Sequence, residues 1–157
     1  VFKTPSWEPN FSNISLSIGL ININNPSNLG SILRNAHAFG CETVFLVGSS
    51  CDPFHPESLR ASAGNIFNVS IVSLSEKEFF STIQPLSCWK LDSNASYSIE
   101  DIPTNSPLCF IFGSEMGFPK HFKSSLSSCS IPMNCGVNSL NLAATSAIVL
   151  YHFRKKS

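Results

Sequence analysis

The strongest constraint on this chain is its alternation of short apolar runs with segments of helical period. Residues 15–24 (SLSIGLININ) alternate apolar and polar side chains and then meet Asn-Pro, which predicts a first strand. Leu29, Ile32, Leu33, Ala36 and Phe39 recur at helical spacing, and Gly40 follows as a stop, so a helix is predicted over 29–39. The same signals predict strands at 43–47, 69–73, 88–91, 108–112 and 129–131. They predict helices at 56–63 (closed by Gly64), 76–83, 119–126 and 140–155. Strands alternating with helices define an α/β fold, a parallel sheet flanked by helices on both faces.

In such sheets ligands bind outside the carboxyl ends of the strands. Three polar islands fall at those positions. The first is Asn25-Pro26-Ser27-Asn28-Leu29-Gly30-Ser31-Ile32-Leu33-Arg34-Asn35-Ala36. Here Asn28 is placed to cap the helix beginning beside it. Arg34 is either an exposed helix arginine or a guanidinium held toward a phosphate or a reacting oxygen. The second, Phe112-Gly113-Ser114-Glu115, ends an apolar strand. Gly113 allows close approach to the backbone, and Glu115 is a loop carboxylate or a charge at a helix N-terminus. The third runs from Ile131-Pro132-Met133 to Ser139-Leu140-Asn141, where Ser139 reads as a helix N-cap or as a site residue.

A chain of 157 residues that is 43% hydrophobic is expected to form one domain with a sizeable core. Val1 is not a methionine, which suggests a piece of a longer protein. Residues 1–13 read as an N-terminal extension or linker end, and 14–157 as the domain. No apolar run approaches the roughly 18 residues that span a bilayer, and no secretory signal is visible, so no membrane partner is expected. Ten basic and ten acidic residues cancel. Any nucleic-acid contact then falls to local patches: Arg34 and Arg60, Lys120-His121 with Lys123, and Arg154-Lys155-Lys156.

Six cysteines lack any C-x-x-C spacing and read as reduced structural thiols. They suit a reducing compartment, cytoplasmic or within an organelle. Four N-x-S sequons, at Asn10, Asn13, Asn68 and Asn94, read as chance in a chain rich in Ser and Asn. The histidines His37, His55, His121 and His152 are too scattered for a metal site, so no metal is expected. G-x-G-x-x-G, a P-loop and G-x-S-x-G are all missing, which argues against dinucleotide, P-loop and hydrolase chemistry.

The segment N-P-S-N-L-G-S-I-L-R-N-A-H-A-F-G resembles motif 1 of the SpoU (TrmH) family of SPOUT RNA methyltransferases. F-G-S-E, followed by a glycine and a proline, resembles motif 2, and I-P-M with V-N-S-L-N-L resembles motif 3. Arg60-Ala61-Ser62-Ala63-Gly64 is similar to a minor S-x-G segment. The resemblance covers about residues 15–155. It departs from the family in two places. Glu115-Met116-Gly117 is one residue shorter than the usual E-x-x-G, and Asn138 replaces the acidic residue usual before S-L-N.

This resemblance implies a C-terminal trefoil knot and a homodimer with the active site at its interface. It implies methyl transfer from S-adenosylmethionine to a ribose 2′-hydroxyl in RNA, with tRNA favoured over rRNA. Arg34 would serve the acceptor oxygen, as base or as charge stabiliser. Asn28, Ser139 and Asn141 would position the ribose and Arg34, and Glu115 would orient Arg34 or its neighbour across the dimer. The cofactor would lie against Leu91, Gly113, Ile131, Met133 and Leu140. The dimer would use the first and last helices, where Leu142, Ala143, Ala147 and Leu150 form an apolar stripe. Two other classes stay open: a binding module without catalysis, and a base methyltransferase of the wider clan.

Overall fold

The computed structural model describes residues 14–122 and 126–155. Six parallel strands form one sheet in the order β3-β2-β1-β5-β4-β6. They are β1 (Leu16–Ile21), β2 (Thr43–Val47), β3 (Ser70–Leu74), β4 (Ser87–Leu91), β5 (Leu108–Phe112) and β6 (Ser127–Cys129). Four helices accompany them: α1 (Pro26–Ala38), α2 (Pro56–Ser62), α3 (Glu76–Thr82) and α4 (Leu142–Phe153). Residues 1–13 lie outside the described part.

β1 sits at the centre, with Ser17 beside both Thr43 of β2 and Cys109 of β5. All six of its residues are buried, as expected when helices cover both faces of a parallel sheet. The alternation read from the sequence is therefore one of size, without a solvent face. Ser17 donates its hydroxyl to Leu108 O at 3.1 Å. At Gly19 a Cβ would come within 2.6 Å of the Phe79 ring, so α3 sits where a side chain would stand. One core layer joins Ile18, Leu20 and Phe110 to Leu29, Ile32 and Leu33 of α1 and to Val149 and Leu150 of α4. The other joins Phe45, Val47 and Ile111 to Phe79 and Ile83.

Several boundaries differ from expectation. α1 begins at Pro26, because Asn25 is its cap: Asn25 Oδ1 accepts from the Asn28 N–H at 3.0 Å, and proline suits the first turn. Asn28 is thus not the cap. α4 starts at Leu142, capped by Asn141 and not by Ser139. Of the helix expected at 119–126, the described part is a single 3-10 turn, Lys120–Phe122; 123–125 lie outside the described residues. β6 comes two residues early, since Ser130 leaves the ladder to bridge Ser98.

That bridge belongs to a long excursion, 92–107, between β4 and β5. The Asp92 N–H donates to Cys129 O at 2.9 Å; the Ser130 N–H donates to Tyr97 O at 2.8 Å and Ser130 O accepts from Ile99 N–H at 2.9 Å. The end of β6 is therefore hydrogen-bonded to two stretches of one loop, 92 and 97–99. Past it the chain crosses to α4, which is tied to α1 by Asn35: its Nδ2 donates to Ala143 O at 2.9 Å and Ser146 Oγ at 3.1 Å. Leu150 is fully buried, and Leu142 and Ala143 pack against the core. Of the stripe expected at the dimer contact, Leu150 therefore faces inward, and Leu142, Ala143 and Ala147 are half-buried. The outward apolar residues of α4 are Ala144, Ile148 and Tyr151.

Candidate active site

A pocket of about 540 Å³ opens at the carboxyl ends of β4 and β5. Its wall contains Leu91, Gly113, Ile131, Met133 and Leu140, the five positions expected at the cofactor. Glu115, Ser139 and Asn141 line it as well. Asn28 lines a second, adjoining pocket of about 370 Å³. Arg34 is exposed and lines neither. Within one chain, then, the folding brings every expected residue but Arg34 to the pair of pockets.

A directed chain of hydrogen bonds runs through the polar residues. Asn141 Oδ1 accepts from the N–H groups of Ala143 and Ala144 at 2.9 and 3.3 Å. Its Nδ2 is left to donate to Asn28 Oδ1 at 3.3 Å. Asn28 Nδ2 then donates to Glu115 Oε1 at 2.9 Å. A carboxylate only accepts, and a helix N-terminus only donates, so each amide has one workable orientation. The motif resemblance gives Asn28 and Asn141 one role and Glu115 another; the structure joins all three in one hydrogen-bonded relay.

Glu115 reaches Asn28 despite the shortened motif. Residues 114–117 fold as a tight turn, with Gly117 N–H donating to Ser114 O at 2.7 Å. Gly117 has a φ of +82°, which glycine adopts without strain. The turn folds back on Gly113, where a Cβ would meet the Gly117 carbonyl carbon at 3.0 Å. Ser139, freed from capping, faces the larger pocket. Reasoning from the sequence missed Asp92, Ser93, Ser130 and Thr145 in that wall. Asp92 and Ser93 carried a usable signal, since they directly follow a predicted strand.

Cys129 lies one residue from the wall. Burial pushes its thiol up to about 12, so it is no nucleophile near neutrality. All six cysteines are free, and no group able to hold a metal ion occurs among the described residues. No helix among them is long and apolar enough to cross a membrane. Of the basic patches, Lys155 pairs with Glu42 at 3.2 Å, and the Arg154 guanidinium lies 3.7 Å from the Tyr151 ring centre. Lys123 and Lys156 fall outside the described residues.

The sequence profile of the SpoU rRNA Methylase family matches residues 15–151, and the chain belongs to that family. An uncharacterized tRNA/rRNA methyltransferase of Synechocystis sp. is 31% identical over 96% of this chain and 57% of its own length. The 23S rRNA (uridine(2479)-2′-O)-methyltransferase of Streptomyces viridochromogenes is 27% identical over 80% of the chain and 47% of its own length. The crystal structure of an AdoMet-bound rRNA methyltransferase from Sinorhizobium meliloti has a TM-score of 0.83 to this fold. It is 27% identical, over 88% of this chain and 55% of that one. The chain spans about half the length of the curated relatives it matches.

Proposed function

We propose that this chain is the catalytic domain of an RNA methyltransferase that uses S-adenosylmethionine to methylate a ribose 2′-hydroxyl of tRNA or rRNA. The observation that carries this reading is the Glu115–Asn28–Asn141 relay at the boundary of two adjoining pockets. Methyl transfer needs a donor and an acceptor that meet, and Ser114, Glu115 and Leu142 belong to both walls. The relatives carry both tRNA and rRNA names, and the 2′-O position is in the name of one of them.

The larger pocket fits the cofactor in chemistry. Leu91, Ile131 and Leu140 offer an apolar slot for an adenine ring, and Asp92 and Ser93 offer polar groups for ribose hydroxyls. When bound there, the cofactor supplies an electrophilic methyl on a sulfonium. The protein's task is then to orient the acceptor oxygen and to stabilise the charge that develops on it. A guanidinium stays protonated near neutrality, so Arg34 stabilises that charge while the hydroxyl proton passes to solvent. Asn28, Ser139 and Asn141 align the ribose, and Glu115 orients the arginine beside it.

Because Arg34 lies outside its own chain's pockets, this role requires a homodimer in which each Arg34 serves the partner's site. Two features support that assembly. α4 is apolar on its outer face, with Ile148 40% and Tyr151 55% exposed. The Arg34 face of α1 carries the small residues Ser27, Ser31 and Ala38 together with exposed His37. Calorimetry with S-adenosylhomocysteine, followed by digestion and mass spectrometry of RNA from cells lacking the protein after reaction with it, tests the proposal. One cofactor site per chain and new 2′-O-methyl nucleotides are expected. No binding at millimolar ligand, or methyl groups found on bases, would refute it.

A further inference from the structure

We propose that the second pocket seats the acceptor nucleobase and that Glu57, with Asn25, makes it select guanine. The inference rests on the methyltransferase reading and adds the identity of the base. The pocket is about 370 Å³ and touches the cofactor pocket only along Ser114, Glu115 and Leu142. No Lys, Arg or His is among the described residues that line it, whereas two carboxylates are, Glu57 and Glu115. With Glu115 given to the partner's Arg34, the rest of the wall carries the Glu57 carboxylate alone and suits a neutral ligand that brings hydrogen-bond donors.

The polar groups have already been sorted by the fold. Glu115 takes the Asn28 amide. Asn25 spends its Oδ1 on capping α1, so what it has left for the pocket is its NH₂ donor. The Glu57 backbone N–H donates to His55 Nδ1 at 3.3 Å, and its carboxylate has no hydrogen bond among the described residues. The pocket thus offers a free two-oxygen acceptor and a donor, beside the Asn24 amide, which presents one group of each kind. Guanine alone among the bases presents two adjacent donors, N1–H and N2–H, beside an O6 acceptor on one edge; RNA bases are commonly read on that edge once unstacked. Uracil presents one N–H between two carbonyls, which a carboxylate disfavours. Met116, 95% exposed at the tip of the 114–117 turn, also lines this pocket, together with Pro26. Its flexible thioether is suited to cover an aromatic ring.

The test uses the ¹⁵N-labelled chain saturated with S-adenosylhomocysteine and titrated with guanosine, adenosine, cytidine and uridine. Guanosine is expected to shift the amides of Asn25, Glu57 and Met116 and to bind at least about tenfold tighter than uridine, the scale of one bidentate base contact. Glu57→Gln should shrink that preference to within about twofold without altering the calorimetric affinity for S-adenosylhomocysteine. Met116→Ala should weaken all four nucleosides alike. Equal binding of guanosine and uridine overturns the proposal, as do shifts that fall elsewhere. So does an unmoved pocket, the result expected if an arginine of a second copy fills it. A chain that binds S-adenosylhomocysteine without guanosine preference refutes this inference alone; one that binds no S-adenosylhomocysteine refutes the underlying reading as well.

Discussion

From β1 to β3 the chain runs strand, capped helix, strand, capped helix, strand, and Leu29, Ile32, Leu33, Val44 and Phe45 are fully buried. Between the end of β5 and the start of α4 the described residues form turns and irregular backbone apart from one 3-10 turn and the short β6, and apolar residues stay outside: Met116 95%, Val137 47% and Leu140 39% exposed. The first half spends its apolar surface on the fold. The second half withholds part of its own, and the larger pocket lies there, while the smaller one is shared with Ile23 to Asn28 and Glu57 of the first half. Backbone that need not close a core is free to be shaped around ligands. The contrast teaches that in this protein the core and the larger pocket are assigned to different stretches of chain, with the 23–28 segment and Glu57 joining the two at the smaller pocket.

The largest effect should come from the one expected site residue on the rigid half that faces away from the pockets. Arg34→Ala is expected to lower methyl transfer by about three orders of magnitude, the scale of losing a charge-stabilising donor. Cofactor affinity should stay within about twofold. Single-turnover kinetics with calorimetry on the same preparation checks this. Near-normal turnover would return Arg34 to the status of a surface residue and erase the contribution of α1 to chemistry.

Glycines sharpen the contrast in stability. At Gly30 a Cβ would lie 2.3 Å from Ser58 O and 2.8 Å from Ala61 Cβ, so α2 must move to admit it. Gly30→Ala should cost about 2–3 kcal/mol. Gly136, at φ +91° in the irregular half, has open space around it. Gly136→Ala should cost only about 1 kcal/mol, from backbone strain alone. Urea denaturation of the two variants makes the comparison, and equal losses would break it.

The smallest effect concerns pH. Burial pushes the Glu42 carboxyl upward, but hydrogen bonds from the Leu16 and Ser15 N–H groups and from Lys155 outweigh it and hold it below the ordinary glutamate value. A depressed value in the folded state adds stability above the unfolded value, and that stability is lost as pH falls through the folded one. Glu42 is partly exposed, so screening limits the gain to about 1 kcal/mol or less. Denaturation of wild type and Glu42→Gln from pH 7 downward should show curves that converge in acid; a constant gap would mean that the carboxylate charge plays no part.

The sequence by itself determined the local structure wherever one residue type obeys one rule. Strand β5 follows from LCFIF, α1 from its apolar spacing, and the helix predicted at 76–83 is α3, to which the structure adds a capping box of Ser75 and Glu78. The sequence also marked where ligand groups cluster, because polar residues after apolar strands have few other uses. Tertiary structure alone decided which asparagine caps a helix and which joins the hydrogen-bond chain at the pockets: Asn25 caps, Asn28 joins and Asn141 does both. Asn25 and Asn28, or Ser139 and Asn141, are equivalent candidates along the chain; only the meeting of α1, the 114–117 turn and α4 separates them. It alone decided that Leu150 points inward and Ile148 outward, since α4 is apolar on every side and its spacing selects no face. And it alone placed Arg34 outside its own chain's pockets, because a helix fixes the angle between Asn28 and Arg34 while the sheet fixes which of them meets Glu115.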